Sequence, residues 1–195
     1  PKLQHFLELR VGKQHKHLIP KLLKVVSENQ CMLSGSIIVG LAYDTSWIDA
    51  DLDIFVPVTK LHTFSPLDRL LQKFRANDPS IEDFTSKKYG QFYRGSDKIV
   101  MIRQYEIPVF DNFPLKIQLI NVLNSEIGYQ NVKEFIKNEF DFDFCKIGYD
   151  GNQIWIADEA HKAIANKSCA PNYIIPETLK RMEKYLRRGF RFIGI

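Results

Sequence analysis

The sequence predicts an α+β fold, a small mixed β-sheet flanked by helices with a C-terminal helical segment. Three observations carry this expectation. Apolar runs of period two alternate with segments whose apolar residues return every three or four positions. The 195 residues, 45% hydrophobic and 26% charged, suffice for one sizeable core. Gly, Pro, Asn and Asp signals separate the runs, and neither an internal repeat nor a linker-like stretch divides them. A single domain over 1–195 is expected, with a core at 16–157 and the helical segment at 158–195.

The elements follow in order. Leu18, Ile19, Leu22, Leu23 and Val26 predict an amphipathic helix that starts near Pro20 and ends before Asn29. A short buried strand is expected at Cys31 to Leu33, running into Ser34-Gly35-Ser36. From Trp47 to Pro57 apolar and acidic residues alternate, which predicts a strand with one acidic face. Ser65-Pro66-Leu67-Asp68 reads as a capped helix start, with the helix running to about Ala76. The polar and aromatic stretch from Asn77 to Gly95 has no clear period and reads as a long loop with room for one short helix. Lys98 to Ile107 and Leu115 to Val122 are β-rich and read as two neighbouring strands, antiparallel pairing being one option. A helix is expected from Asn131 to Phe140, then a strand by alternation from Asp141 to Tyr149. Asp150-Gly151 turns the chain into a partner strand at Gln153 to Ala157. Helices are expected at Glu159 to Asn166 and at Glu177 to Arg188, the second preceded by Pro176 and stopped by Gly189.

Composition excludes several classes. The 14 Phe, 8 Tyr and 2 Trp are incompatible with a disordered or collagenous chain. No apolar run approaches the roughly 20 residues that cross a bilayer, and Pro1-Lys2-Leu3-Gln4-His5 lacks a signal peptide's apolar stretch, so a cytoplasmic protein with no membrane partner is expected. Cys31, Cys145 and Cys169 have neither CxxC spacing nor a nearby His and read as free thiols. His15-Lys16-His17 lacks further ligands for a metal, and no Walker A, dinucleotide or Gly-x-Ser-x-Gly signature occurs.

The net charge of +4 is unevenly spread: residues 1–30 and 177–195 each hold six Lys/Arg against two acids, whereas the middle holds 15 against 19. Acidic residues between cationic ends suit a metal site flanked by phosphate-attracting surfaces, and solvated helix faces are the plainer alternative. The acidic strand carries the chemistry. Residues two apart on a strand share a face, so Asp51 and Asp53 can converge on one divalent cation. Asp49, Asp51 and Asp53 would repel one another unless a cation offsets them. An EF-hand is excluded, because its sixth and twelfth positions would be Ile54 and Lys60.

The run Ser34-Gly35-Ser36, then Trp47, then Asp51-Leu52-Asp53-Ile54 resembles the polymerase-beta-type nucleotidyltransferase superfamily, with a spacer about one residue longer than usual. The resemblance implies that the Gly-Ser turn (Ser34, Gly35, Ser36) holds the triphosphate of a nucleotide such as ATP and that Asp51 and Asp53 bind Mg²⁺ or Mn²⁺. The family carries a third carboxylate on a later strand, and the matching place in Leu115-Lys116-Ile117-Gln118-Leu119-Ile120 holds Gln118, which cannot act as a base. Asp141 and Asp143 are candidate substitutes, Asp143 being the favoured catalytic acid, with an exposed acidic strand face as the alternative. Lys180, Lys184, Arg187 and Arg188 recur at helical spacing while Leu179, Met182 and Leu186 line another face. This basic helix either contacts phosphate, Lys184 being the candidate nucleotide ligand, or is a solvated face. Phe140 to Gly151, with Thr178 to Tyr185 and Arg187 to Phe190, also resembles segments of uncharacterised proteins of large DNA viruses, which makes an infected host cell one possible setting.

Two functions are carried forward. One is transfer of a nucleoside monophosphate from a nucleoside triphosphate to an acceptor hydroxyl, with nucleic acid among the candidate acceptors. The other is an inactive nucleotidyltransferase-like module that binds nucleotide or RNA.

Overall fold

The structure, a computed structural model, describes residues 2–59, 65–86, 98–109, 114–124 and 131–194. Two N-terminal helices, α1 (Lys2–His15) and α2 (Leu18–Glu28), precede strand β1 (Met32–Ser34) and a short helix α3 (Ser36–Ala42). Strand β2 (Leu52–Val58) and helix α4 (Pro66–Asn77) follow, then β3 (Glu82–Ser86), β4 (Ile99–Ile107) and β5 (Leu115–Leu123). Helix α5 (Val132–Glu139) leads through a 3-10 turn at Asp143–Cys145 to β6 (Ile147–Tyr149) and β7 (Ile154–Ile156). The chain closes with α6 (Asp158–Asn166), β8 (Ser168–Cys169), α7 (Pro176–Arg187) and β9 (Arg191–Phe192). Among the described residues no helix is long and apolar enough to cross a membrane, and all three cysteines are buried free thiols.

Seven strands form one mixed sheet in the order β3-β4-β5-β2-β1-β6-β7, in which β2 and β5 pair in parallel and the other neighbours are antiparallel. This is the mixed α+β architecture that the sequence predicts. The apolar face of α2 is Leu18, Ile19, Leu22, Leu23 and Val26, all buried, as the periodicity requires. Helix α4 begins at the expected capping box: Ser65 Oγ accepts from the Asp68 amide at 3.1 Å, and Asp68 accepts from the Ser65 amide at 2.8 Å.

Four expectations are corrected. The strand predicted from Trp47 begins only at Leu52, because Trp47 to Ala50 forms a turn closed by Ala50 N–H to the Trp47 carbonyl at 3.0 Å. The expected loop from Asn77 contains β3, an edge strand whose polar composition hides its pairing with β4; residues 87–95 of that loop lie outside the described residues. Residues 141–146 form no strand. The chain instead closes a 3-10 turn at Asp143–Cys145, with Cys145 N–H bonded to the Phe142 carbonyl at 3.0 Å, which stacks the fully buried rings of Phe142 and Phe144 with centroids 5.3 Å apart while Asp141 and Asp143 take up ion pairs. The segment after 158 also contains the two-stranded parallel β8–β9 sheet, whose two-residue strands are too short to show a period.

Candidate functional site

Strand β1 ends at Ser34, and Gly35 takes φ +76°, a conformation that favours glycine, before α3 starts at Ser36. Ser34 pairs in register with Asp53 on β2. A Cβ on Gly35 would collide with the Asp53 carboxylate, so the turn and the acidic strand meet with no room between them. Asp53 in turn lies in register with Gln118 on β5, and Gln118 with Gln104 on β4. Ser34, Asp53, Gln118 and Gln104 therefore form one row across four adjacent strands. Asp51 immediately precedes β2, and the Gln118 amide donates to its Oδ2 at 3.5 Å.

Charge is disfavoured here. Burial pushes the Asp53 carboxyl up to about 7, the charge of Asp51 adds to the rise, and Lys184 and Arg181 oppose it. Burial also raises Asp51 against the pull of Lys184 and Lys116, with Asp49 and Glu106 adding to the rise. Two adjacent carboxylates with suppressed ionisation fit a divalent cation chemically: Mg²⁺ accepts one or two carboxylates and completes its shell with phosphate oxygens and water. Among the described residues no group of three or more His, Cys, Asp or Glu side chains forms a metal cage, so such an ion would depend on a ligand's oxygens for most of its shell.

Of the other expected site residues, Ser36 and Lys184 stay by the turn and the carboxylates, whereas Asp141 and Asp143 are paired elsewhere. Ser34 is fully buried and donates its hydroxyl to the Ile147 carbonyl at 2.6 Å, which ties β1 to β6 and leaves that hydroxyl committed to the fold. Ser36 is 5% exposed, with its Oγ 3.3 Å from the Tyr185 hydroxyl. Lys184 is half-buried on α7 and its charge reaches Asp49, Asp51 and Asp53. Asp143 sits in the 3-10 turn, its Oδ1 held by Lys146 at 2.8 Å and by Asn172 at 3.0 Å. Asp141 is buried and paired with Arg181 at 2.7 Å. Neither is among the charges that act most on Asp51 and Asp53, and neither lies on an exposed acidic strand face, the alternative to a catalytic role: both are ion-paired, Asp141 buried and Asp143 half-buried.

The buried face of α7 is Thr178, Met182 and Tyr185, whereas Leu179 and Leu186, expected on that face, are about half exposed. The rotation leaves Arg181 and Lys184 half-buried near the carboxylates, and Arg187 outside with Glu183 at 2.8 Å. Sequence reasoning missed further polar residues on the sheet face. Gln104 accepts from Gln118 at 3.3 Å and donates to Glu106 at 2.8 Å, and Glu106 lies 3.7 Å from Lys116. Their signal was the alternation of Gln104 and Glu106 with buried Tyr105 and Ile107. Arg10, on α1, was also missed: its charge interacts with Asp49 and Asp51, and its buried Nε has no hydrogen-bond partner among the described residues.

No family model and no curated protein matches this chain. Solved structures do. A Thermotoga maritima CCA-adding enzyme complexed with tRNA is similar with a TM-score of 0.54 at 14% identity, over 99% of this chain and 42% of that one. A CCA-adding enzyme with CTP gives 0.58 at 15% identity, over 99% and 43%, and an apo form of a CCA-adding enzyme gives 0.55 at 14%, over 99% and 42%. The chain thus spans less than half the length of these neighbours, and at such identity the likeness establishes a shared nucleotidyltransferase-like fold.

Proposed function

We propose that the chain is a metal-dependent nucleotidyltransferase that moves a nucleoside monophosphate from a nucleoside triphosphate to an acceptor hydroxyl. The observation that carries the reading is the closure of Gly35 onto Asp53, which puts the Gly-Ser turn directly against the Asp53 carboxylate. Asp51 and Asp53 would hold one Mg²⁺ or Mn²⁺, which when bound neutralises phosphate charge and polarises the phosphorus under attack. Gly35 and Ser36 would face the triphosphate, and Lys184 would balance its charge. In the transfer the acceptor oxygen bonds to the α-phosphorus, the bond to the bridging oxygen of the β-phosphate breaks, pyrophosphate leaves, and the acceptor's proton passes to solvent water. The CTP and tRNA named for the neighbours support a nucleotide as donor and allow nucleic acid as acceptor.

One observation favours a second reading, a module that binds nucleotide or RNA without turnover. Gln118 occupies the place beside Asp53 where the family has its third carboxylate, and Asp141 and Asp143 are tied to Arg181 and Lys146. Incubation with each α-labelled nucleoside triphosphate, Mg²⁺ or Mn²⁺ and cell extract separates the two. Label transfer and pyrophosphate release that vanish in Asp51→Asn and Asp53→Asn support the enzyme, whereas metal-dependent binding without either product supports the module.

A further inference from the structure

The C-terminal end of α7 reaches both halves of the site through one side chain. Arg188 follows α7 directly, and its side chain is only 6% exposed. Its Nη1 donates to Ser36 Oγ at 3.1 Å, and its Nη2 to Asp49 Oδ1 at 2.7 Å. The guanidinium lies over the Trp47 ring at 4.3 Å and 5.5 Å from the centroid of Tyr185. Tyr185 Oη approaches the same Ser36 hydroxyl at 3.3 Å and accepts from Cys145 Sγ at 3.3 Å. One arginine therefore grips the first residue of α3 with one prong and the Trp47–Ala50 turn, from which Asp51 and β2 emerge, with the other.

We infer that Arg188 is a positioning residue that locks the Ser36 hydroxyl and the Asp49 turn in mutual register, so that the triphosphate and its divalent cation are seated together. The inference rests on the nucleotide reading above and deepens it. The guanidinium geometry is needed because two acceptors on different segments must be met by a planar fork stacked on an indole, which an ammonium cannot reproduce. Asp49 explains the direction of the fork: its side chain is 61% exposed, so the ion pair anchors an otherwise open turn against a buried cation.

The test compares wild type, Arg188→Lys, Ser36→Ala and the double variant by calorimetric titration with nucleoside triphosphate and with the corresponding monophosphate, each with and without Mg²⁺. Circular dichroism and thermal unfolding check that each variant folds, and Tyr185→Phe, which removes the second partner of Ser36, stands in if Arg188→Lys does not. The expected result is a loss of tenfold or more in triphosphate affinity for Arg188→Lys, little change for the monophosphate, and a double variant no weaker than the worse single one. Equal losses for both nucleotides, or additive losses in the double variant, overturn the positioning role while leaving the nucleotide reading intact. A wild type that binds neither nucleotide overturns both.

Discussion

Replacing Asp53 by Asn should stabilise the metal-free protein at alkaline pH and make it blind to divalent cations. Asp53 has an ordinary carboxyl value of 3.8 when exposed and one raised to about 7 in the folded chain, through burial and the neighbouring Asp51 charge. Between these values the folded protein keeps a proton that the unfolded chain has lost. Its contribution to stability is fully present below pH 3.8 and is lost as pH rises through 7. The interval of about 3 units, at about 1.4 kcal/mol each, sets a ceiling of about 4 kcal/mol on the cost of ionising Asp53 at pH 8. Asn removes that cost but also the proposed metal ligand. Urea unfolding with chelator should therefore find Asp53→Asn more stable than wild type at pH 8 and the difference shrinking toward pH 4. Mg²⁺ or Mn²⁺ at a tenfold excess over its dissociation constant at pH 8 should stabilise wild type by about 1.4 kcal/mol at that pH and by less at pH 5.5, and should leave the variant unmoved. Equal stabilities of the two proteins at pH 8, or a variant that still responds to the cation, would refute the argument that these carboxylates are held together for an ion.

Three other substitutions probe separate parts of the structure. Gly35→Ala forces a side chain into a φ of +76° and against the Asp53 carboxylate, so a loss of about 2–4 kcal/mol in urea unfolding and failure of triphosphate binding are expected. Gln118→Glu places a third carboxylate in register with Asp53, so metal-free stability at pH 8 should fall in urea unfolding, and an unchanged stability would show that the side chain at 118 does not face Asp51 and Asp53. Lys146 is a buried lysine shared by Asp143 at 2.8 Å and Glu159 at 3.3 Å, so Lys146→Ala should cost about 3–5 kcal/mol by chemical denaturation, with triphosphate affinity of the folded fraction unchanged in a binding titration.

The legible parts of this fold are those fixed by local chemistry. The α2 face, the Ser65 capping box and the two β-rich runs that become β4 and β5 depend on spacing and capping within a dozen residues, and each lies where its pattern puts it. The Gly35 turn and the carboxylate pair were readable for the same reason. What was illegible depends on residues far apart in the chain. The Trp47–Ala50 turn interrupts an apparently continuous alternation because Asp49 finds Arg188, 139 positions away. Asp141 and Asp143 imitate a strand face, yet each is drawn inward by a cation, and no period in the sequence reports on an ion pair with Arg181. The orientation of α7 was misjudged because Leu179 and Leu186 outweigh Thr178 on any hydrophobicity scale, although Thr178 is the one fully buried.

Gln118 likewise depends on residues far from it in the chain. A lone glutamine at 118 reads from the sequence as a simple loss, but the folded chain surrounds it with a polar row: Asp51 accepts from its amide, Gln104 accepts from the same nitrogen, and Gln104 reaches on to Glu106. A half-buried amide between a carboxylate and a second amide is a satisfied hydrogen-bonding group rather than an empty place, and it donates to Asp51 in the same region where a third carboxylate would only repel. Glu106, on β4 two strands from β2, adds to the rise of the Asp51 carboxyl. Gln118→Glu is thus expected to act in two opposing ways, adding a ligand for a cation while breaking the amide link to Asp51. A Glu106→Gln variant separates them: if Gln118 is chiefly a link in this row, losing Glu106 should alter the pH dependence of cation binding while Gln118→Glu brings no gain of turnover over wild type. A gain of turnover in Gln118→Glu that Glu106→Gln does not affect would instead mark position 118 as the site of a lost catalytic acid.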